Sequence, residues 1–343
     1  MGTEILSAEY EDSPPGPSKD MPKQRSTKAA NGKRTYKLLK YQDLPEHLKT
    51  NEYILAYYRS DWPLKETLCS LFSIHNETLN IWTHLVGFLI FLGLTAYTVL
   101  HLPKVVDFSY FPSLEKLRMT VEENITNLVT PFSPTQSQIT RWPFFVFLGG
   151  AMCCLLFSST YHLLNCHSKR LHVILHRLDH AGIAILIAAS FYPPVYYSFI
   201  CHPLLQKIYL SGITFLGLST ILFSSLPMFR TREFRPVRAL LFFSMGVSGI
   251  VPGVHKLFLF KDDPAAISTI LYEVGMGAFY GVGALLYATR IPERLKPGFF
   301  DIVGHSHQIF HILVVAGAYT HYEAGLIYLK WRDAVGCPDS KPY

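Results

Sequence analysis

Seven apolar runs of about twenty residues each divide this 343-residue chain, and no other feature limits its fold so tightly. They lie at roughly 81–101, 143–164, 173–193, 207–226, 237–256, 268–289 and 305–329. A tilted helix of that length crosses roughly 30 Å of hydrocarbon. Backbone polar groups find no water there, so each run must satisfy its own hydrogen bonds as a helix. The second run (PFFVFLGGAMCCLLFSSTYHLL) and the third (VILHRLDHAGIAILIAASFY) are the clearest. Glycines weaken the sixth, but glycine is common where membrane helices pack closely. With 49% hydrophobic and only 16% charged residues, a soluble domain is excluded. The predicted fold is an all-α membrane protein, a seven-transmembrane helix bundle.

Residues 1–40 are rich in Lys, Pro, Ser and Gly and lack the apolar core of a signal peptide, so they are expected to be a disordered tail. Residues 41–79 carry apolar side chains at helical spacing and predict short interfacial helices packed under the bundle. The bundle itself is expected over 80–330, with a long first loop (102–142) and a tail at 331–343. Basic residues concentrate in the N-terminal region and in the short connections carrying Lys169, Arg170, Arg177, Arg230, Arg232, Arg235, Arg238, Arg290, Arg294 and Lys296. By the positive-inside rule the N-terminus is cytoplasmic and the C-terminus external, the reverse of the usual G-protein-coupled receptor arrangement. The sequon Asn124-Ile125-Thr126 then falls on the external side, and Asn76-Glu77-Thr78 on the cytoplasmic side. Cys201 and Cys337 both fall outside, where a disulfide is permitted, and are expected to bond. The chain is expected in the plasma membrane or an endomembrane.

Four ionisable side chains sit inside or at the ends of these runs: His162, Asp179, His307 and His311. Such groups are costly in hydrocarbon and mark functional sites by default. His162 lies near the inner end of the second run, Asp179 about six residues into the third, and the two others in the first turns of the seventh. His307 and His311 are four apart, on one helical face. The topology therefore predicts three imidazoles and a carboxylate in one layer, a donor set that suits zinc. Taken singly, each histidine is better read as a hydrogen-bonded packing group; a proton relay or polar network is the alternative for the set. His84, His176, His180 and His305 lie on the same side and compete as ligands, whereas His255 and His321 fall toward the other end.

Several stretches carry a resemblance: Glu77-Thr78-Leu79-Asn80-Ile81-Trp82-Thr83-His84, Ser158-Ser159-Thr160-Tyr161-His162, Leu178-Asp179, Ile291-Pro292-Glu293-Arg294 and His305-Ser306-His307-Gln308-Ile309-Phe310-His311. In this order, over about residues 40–330, they resemble the signature stretches of the progestin and adipoQ receptor family, its adiponectin-receptor type and plant heptahelical members above all. The order Ser-x-x-x-His, Asp, His-x-x-x-His is also similar to that of membrane hydrolases such as the alkaline ceramidases. The resemblance implies a zinc ion held by His162, His307 and His311, with Asp179 reaching it through a water and Ser158 facing the site one turn from His162. His180 stands where animal members commonly carry an aromatic residue, which leaves a further ligand open.

Three ligands leave one zinc position free, as in catalytic sites. Asp179 is then the expected general base and Ser158 the donor to a developing oxyanion, on a lipid amide such as a ceramide. The soluble-protease motif His-Glu-x-x-His is absent, and a zinc joining three helices would also serve as a structural clamp. The resemblance implies a receptor-like signalling role in hormone, sugar or stress responses, with a zinc-dependent lipid amidase as the alternative chemistry. Expected partners are the bilayer, a sphingolipid or fatty-acid ligand, an external peptide or hormone, and a cytoplasmic signalling partner at residues 1–79; no nucleic acid is expected. A pure hydrolase should work without residues 1–79. No internal repeat with paired broken helices points to a transporter.

Overall fold

A computed structural model of the chain describes residues 27–28, 34–101, 139–226 and 234–337. The loop sequon at Asn124 and most of the first loop lie outside the described residues. So does most of the N-terminal tail; its described part holds a two-residue antiparallel ladder, β1 (Thr27–Lys28) with β2 (Arg34–Thr35), and includes Leu39, which pairs antiparallel with Tyr58.

Seven helices are long and apolar enough to cross a membrane: α1 (Thr78–Leu100), α2 (Trp142–Leu164), α3 (Lys169–Ser198), α4 (Pro203–Ser225), α5 (Val237–Leu259), α6 (Pro264–Thr289) and α7 (Ser306–Val335). Each pairs with its sequence neighbour, and α7 closes the ring against α1. The elements that carry the predicted site are the innermost. Over their most apolar stretch α2 and α7 are 56% and 50% buried, against 11% for α5 and α6. Their shared core is aromatic and aliphatic, with Phe91, Phe144, Phe147, Leu155, Val314 and Tyr328 fully or nearly buried. Close approach is made possible by small residues. A Cβ on Gly182 of α3 would stand 2.9 Å from the Cα of Cys154, so α2 and α3 meet backbone to backbone.

Local chemistry sets the helix ends. Ser168 caps α3 by accepting from the Leu171 amide, and Asp263 caps α6 by accepting from Ala265 and Ala266. Proline stands in the first turn of α2, α4 and α6, where its missing N–H is no loss. Helix α6 stops at Arg290, which adopts the left-handed conformation.

Several boundaries differ from the sequence expectation: α4 and α6 each start four residues early, and α3 and α7 differ most. Helix α3 begins at Lys169 rather than 173 and runs on through Pro193 and Pro194 after a break at Phe191. Helix α7 continues to Val335, so the tail predicted to start at 331 begins with a helical turn. The polar Arg332 that made this turn read as tail is buried. Its guanidinium donates to the carbonyls of Tyr197 (2.6 Å) and Ser198 (2.9 Å), tying α7 to the end of α3. Arg141 pairs with Asp333 at the same end, and Cys201 is disulfide-bonded to Cys337, as expected.

A second buried polar group was not anticipated. The ammonium of Lys256 on α5 donates to Thr269 (3.1 Å) and Glu273 (2.9 Å) on α6 and to the hydroxyl of Tyr328 on α7, which in turn donates to Glu273. Every ammonium proton has an acceptor, so the charge is fully compensated. Removing one partner leaves the other charge buried alone, which costs about 3–5 kcal/mol. Lys256→Met is therefore expected to lower the thermal midpoint in detergent clearly, and adding Glu273→Gln to restore most of it. Equal loss in the single and double variants would count against this account.

Candidate metal centre

His162 ends α2, two residues before its last turn closes at Leu164, and His307 and His311 occupy the first two turns of α7. Their ligand-capable nitrogens all lie within 4.8 Å of one another, and this is the one convergent His, Cys, Asp or Glu group found among the described residues. His162 and His311 are only 3% and 2% exposed. The Nε2 atoms of His162 and His307 face each other at 3.1 Å. Adjacent nitrogens around a tetrahedral zinc, each at roughly 2.0–2.1 Å from it, stand roughly 3.3 Å apart.

The partners of the other ring nitrogens set the tautomers. His162 Nδ1 lies 2.8 Å from Glu77 Oε2, a carboxylate that accepts, so Nδ1 carries the proton and Nε2 the lone pair. His311 Nδ1 lies 3.2 Å from the Asn80 carbonyl and 3.2 Å from the Thr83 hydroxyl. That carbonyl only accepts, so here too the lone pair falls on Nε2. Two imidazoles are thus held in the ligand-ready form by second partners, an arrangement typical of metal-binding histidines. Glu77 is fixed in turn by Asn80 Nδ2 at 2.6 Å. Burial raises the Glu77 carboxyl, but the neighbouring His162 and the bonds from His162 and Asn80 outweigh it and hold the group below the ordinary carboxylate range.

Asp179 and Ser158 do not enter the cluster. Helix α3 starts at Lys169, so Asp179 lies ten residues along it, roughly 15 Å. Tyr161 packs against His172 and His176, and Cys154 meets Gly182, so in this antiparallel pair Asp179 is level with Ser158. Both stand about one turn beyond His162. The Ser158 hydroxyl is buried and has no hydrogen-bond partner. His84 stacks on His311 with ring centroids 3.6 Å apart, and neither of its nitrogens has a partner. Buried polar atoms are rarely left so, which sets these groups apart from the hydrogen-bonded residues around them. Of the other rivals, His180 is not in the group: its Nδ1 donates to the His176 carbonyl at 2.9 Å. His305 is buried just before α7.

The segment before α1 builds this end of the bundle. It is made of single 3-10 turns (Tyr41–Asp43, Glu46–Leu48, Ser70–Phe72), one short helix (Leu64–Cys69) and extended chain, around a small core of Leu44, Leu48, Ile54 and Tyr58. Arg59, 3% exposed, donates to the carbonyls of His162 (2.7 Å) and Leu163 (3.1 Å), a cation placed on the open carbonyls of a helix C-terminus. Asn51 reaches Glu293 at 3.1 Å, and Glu293 accepts from the amide (2.7 Å) and hydroxyl of Ser306, next to His307. Burial raises Glu293, but these bonds win and lower it. His75 is pushed down to about 3, first by burial and then by Arg59, so it is neutral; it accepts from the Glu77 amide (3.1 Å) and faces the Ser70 carbonyl (3.2 Å). Residues 51–80 therefore fix both helices that carry the histidines. Deleting residues 1–79, which a pure hydrolase was expected to tolerate, would remove the Glu77 and Arg59 contacts to His162.

Sequence reasoning missed Glu77, Arg59 and Glu293 as site residues. Glu77 and Glu293 fall in the stretches that carry the family resemblance, and that was their signal.

Comparison with known proteins fits this geometry. Residues 72–322 match the family model described as haemolysin-III related. The chain is 50% identical to heptahelical transmembrane protein 4 of Arabidopsis thaliana, over 94% of this chain and 97% of that protein. It is 49% identical to heptahelical transmembrane protein ADIPOR3 of Oryza sativa subsp. japonica, covering 89% and 93%. An adiponectin receptor protein of Drosophila melanogaster is 38% identical over 84% of this chain and 59% of its own length.

Glu77→Gln removes the charge but keeps the shape. It is expected to weaken binding of a divalent transition metal about 10–100-fold. Competition against a chelator of known affinity measures this, and unchanged affinity would dismiss Glu77 as an orienting group.

Proposed function

The chain belongs to the haemolysin-III-related family, as an adiponectin receptor-like heptahelical membrane protein, and we propose from that premise that it is a receptor-like signalling protein with a zinc centre at His162, His307 and His311. The single observation that carries the metal is the convergence of the three ligand-capable nitrogens within 4.8 Å. The fixed tautomers of His162 and His311 support it further, because each leaves a lone pair on Nε2, the atom a metal ion would take.

A zinc ion bound there supplies Lewis acidity toward a carbonyl oxygen and toward water. The protein groups do the rest. Glu77, Asn80 and Thr83 hold the imidazole rings in place. Ser158, with no other partner for its hydroxyl, donates to the carbonyl oxygen as negative charge gathers on it. Asp179, level with Ser158, takes a proton from the attacking water and passes it to the leaving amine. The alternative chemistry is thus hydrolysis of a lipid amide of the ceramide class, with the product carrying the signal. The rings of Tyr287 and Phe310 beside His307 would suit a lipid chain, and the outward role is one in hormone, sugar or stress responses.

The same reading places the N-terminus and the histidine end in the cytoplasm and the cystine end outside. Both the basic connections and the Cys201–Cys337 bond, which needs an oxidising compartment, favour this.

Purified protein is expected to hold stoichiometric zinc, lost in His162→Ala, His307→Ala and His311→Ala variants that keep their thermal transition. Zinc retained in all three would end the proposal. Ceramide-class amide turnover is expected in wild type and should fall by at least about 100-fold in Asp179→Ala at unchanged zinc content. Turnover untouched by that change would leave the metal as a structural clamp.

A further inference from the structure

His162 and His311 are buried and His307 is half-buried, so an ion that reaches all three must pass between protein groups, and a metal site without an entry path is incomplete. Such a path is visible on α3. His172, His176 and His180 recur at every fourth residue and lie on one face of the helix. Their rings form a file, with centroids 6.0 Å apart between His172 and His176 and 4.2 Å between His176 and His180. His47, half-buried in the segment before α1, meets His172 edge-on at 5.4 Å and stands at the outer end of the file.

The chemistry of these rings is that of ligands. Histidines four apart on a helix grip one ion together, as in helical zinc motifs, so the file offers two overlapping chelating pairs. His172 is 8% exposed, and its Nδ1 has no hydrogen-bond partner. His180 gives its Nδ1 proton to the His176 carbonyl, which leaves Nε2 bare. The file also reaches the centre. Tyr161 packs its ring at 5.6 Å against both His172 and His176 and at 4.9 Å against His162, and it is the layer between them. His172 and His176 therefore bracket the level of His162 on the neighbouring helix.

We propose that His47, His172, His176 and His180 form a second, weaker binding track for a divalent transition-metal ion, through which the His162–His307–His311 centre is loaded. The ion enters at His47, is held by the His172–His176 pair, and passes beside Tyr161 to His162. This rests on the metal reading of that centre, and the tests below separate the two. The track ligands are two neutral imidazoles at a time, so they bind and release, whereas three imidazoles retain.

The first test follows zinc uptake by metal-stripped full-length protein in lipid nanodiscs from a zinc buffer, using a fluorescent zinc indicator. His172→Gln/His176→Gln is expected to slow loading at least tenfold and reach the same final zinc content. An unchanged rate with full final content overturns the track and leaves the centre standing. His47→Ala, at the accessible end, carries the same rate test should the double variant fail to fold, with loading expected to slow and an unchanged rate again overturning the track. The second test uses copper(II), which binds imidazoles more tightly than zinc. With the centre removed by His162→Ala/His307→Ala/His311→Ala, electron paramagnetic resonance is expected to show copper with nitrogen ligands, abolished by adding His172→Gln/His176→Gln. No nitrogen-ligated copper in the triple variant overturns the track. Wild type that takes up no zinc, with that copper signal present, overturns the centre but supports the track as a metal site.

Discussion

The bond between the Glu77 carboxylate and His162 Nδ1 joins the start of α1 to the end of α2, and the order of this end of the bundle depends on it. The carboxylate decides which nitrogen of His162 is bare and in which direction it points. One turn further along, the Asn80 carbonyl and the Thr83 hydroxyl do the same for His311 on α7. Helix α1 contributes no member of the convergent triad, yet its first turn and a half orients two of the three imidazoles. A donor set assembled from separate helices gains precision from groups that hold the rings, because free rotamers would blur the geometry by more than a metal tolerates.

Arg59 and Glu293 extend the same logic to the helix ends. A helix that stops within an apolar setting leaves its last carbonyls and first amides open. Arg59 closes the end of α2 and Glu293 the start of α7, each next to a histidine. The polypeptide before α1 therefore helps to position the three histidines, although its sequence is that of an ordinary interfacial segment. The far half of the bundle is organised by another buried charge, the Lys256–Glu273 pair with Tyr328, which draws the loosely packed α5 against α6 and α7.

Much of this was legible in the amino-acid order. The seven spans follow from length and apolarity alone, and the His307–His311 pair from its spacing on one helix face. His162 joins them because alternating direction brings the end of α2 to the start of α7. What escaped did so for physical reasons. Charged residues just outside an apolar run look like normal interfacial side chains, so Glu77 and Arg59 gave no signal of their own. Lys256 sat at the edge of a run, where a lysine usually snorkels to water; here it turns inward to Glu273. The start of α3 was placed a turn late, because the Lys169-Arg170-Leu171-His172 stretch is too polar to read as part of an apolar run.

The cystine between Cys201 and Cys337, with Arg332 and the Arg141–Asp333 pair beside it, rivets one end of α7 to its neighbours. The opposite end, at Ser306, is held by polar bonds to Glu293 and by the packing of Tyr287 on His307 and Phe310. Any excursion of this helix that admits a bulky guest must accordingly swing about the riveted end, as a door turns on its hinge. The widest gap then opens beside His307, where the travel per degree is greatest.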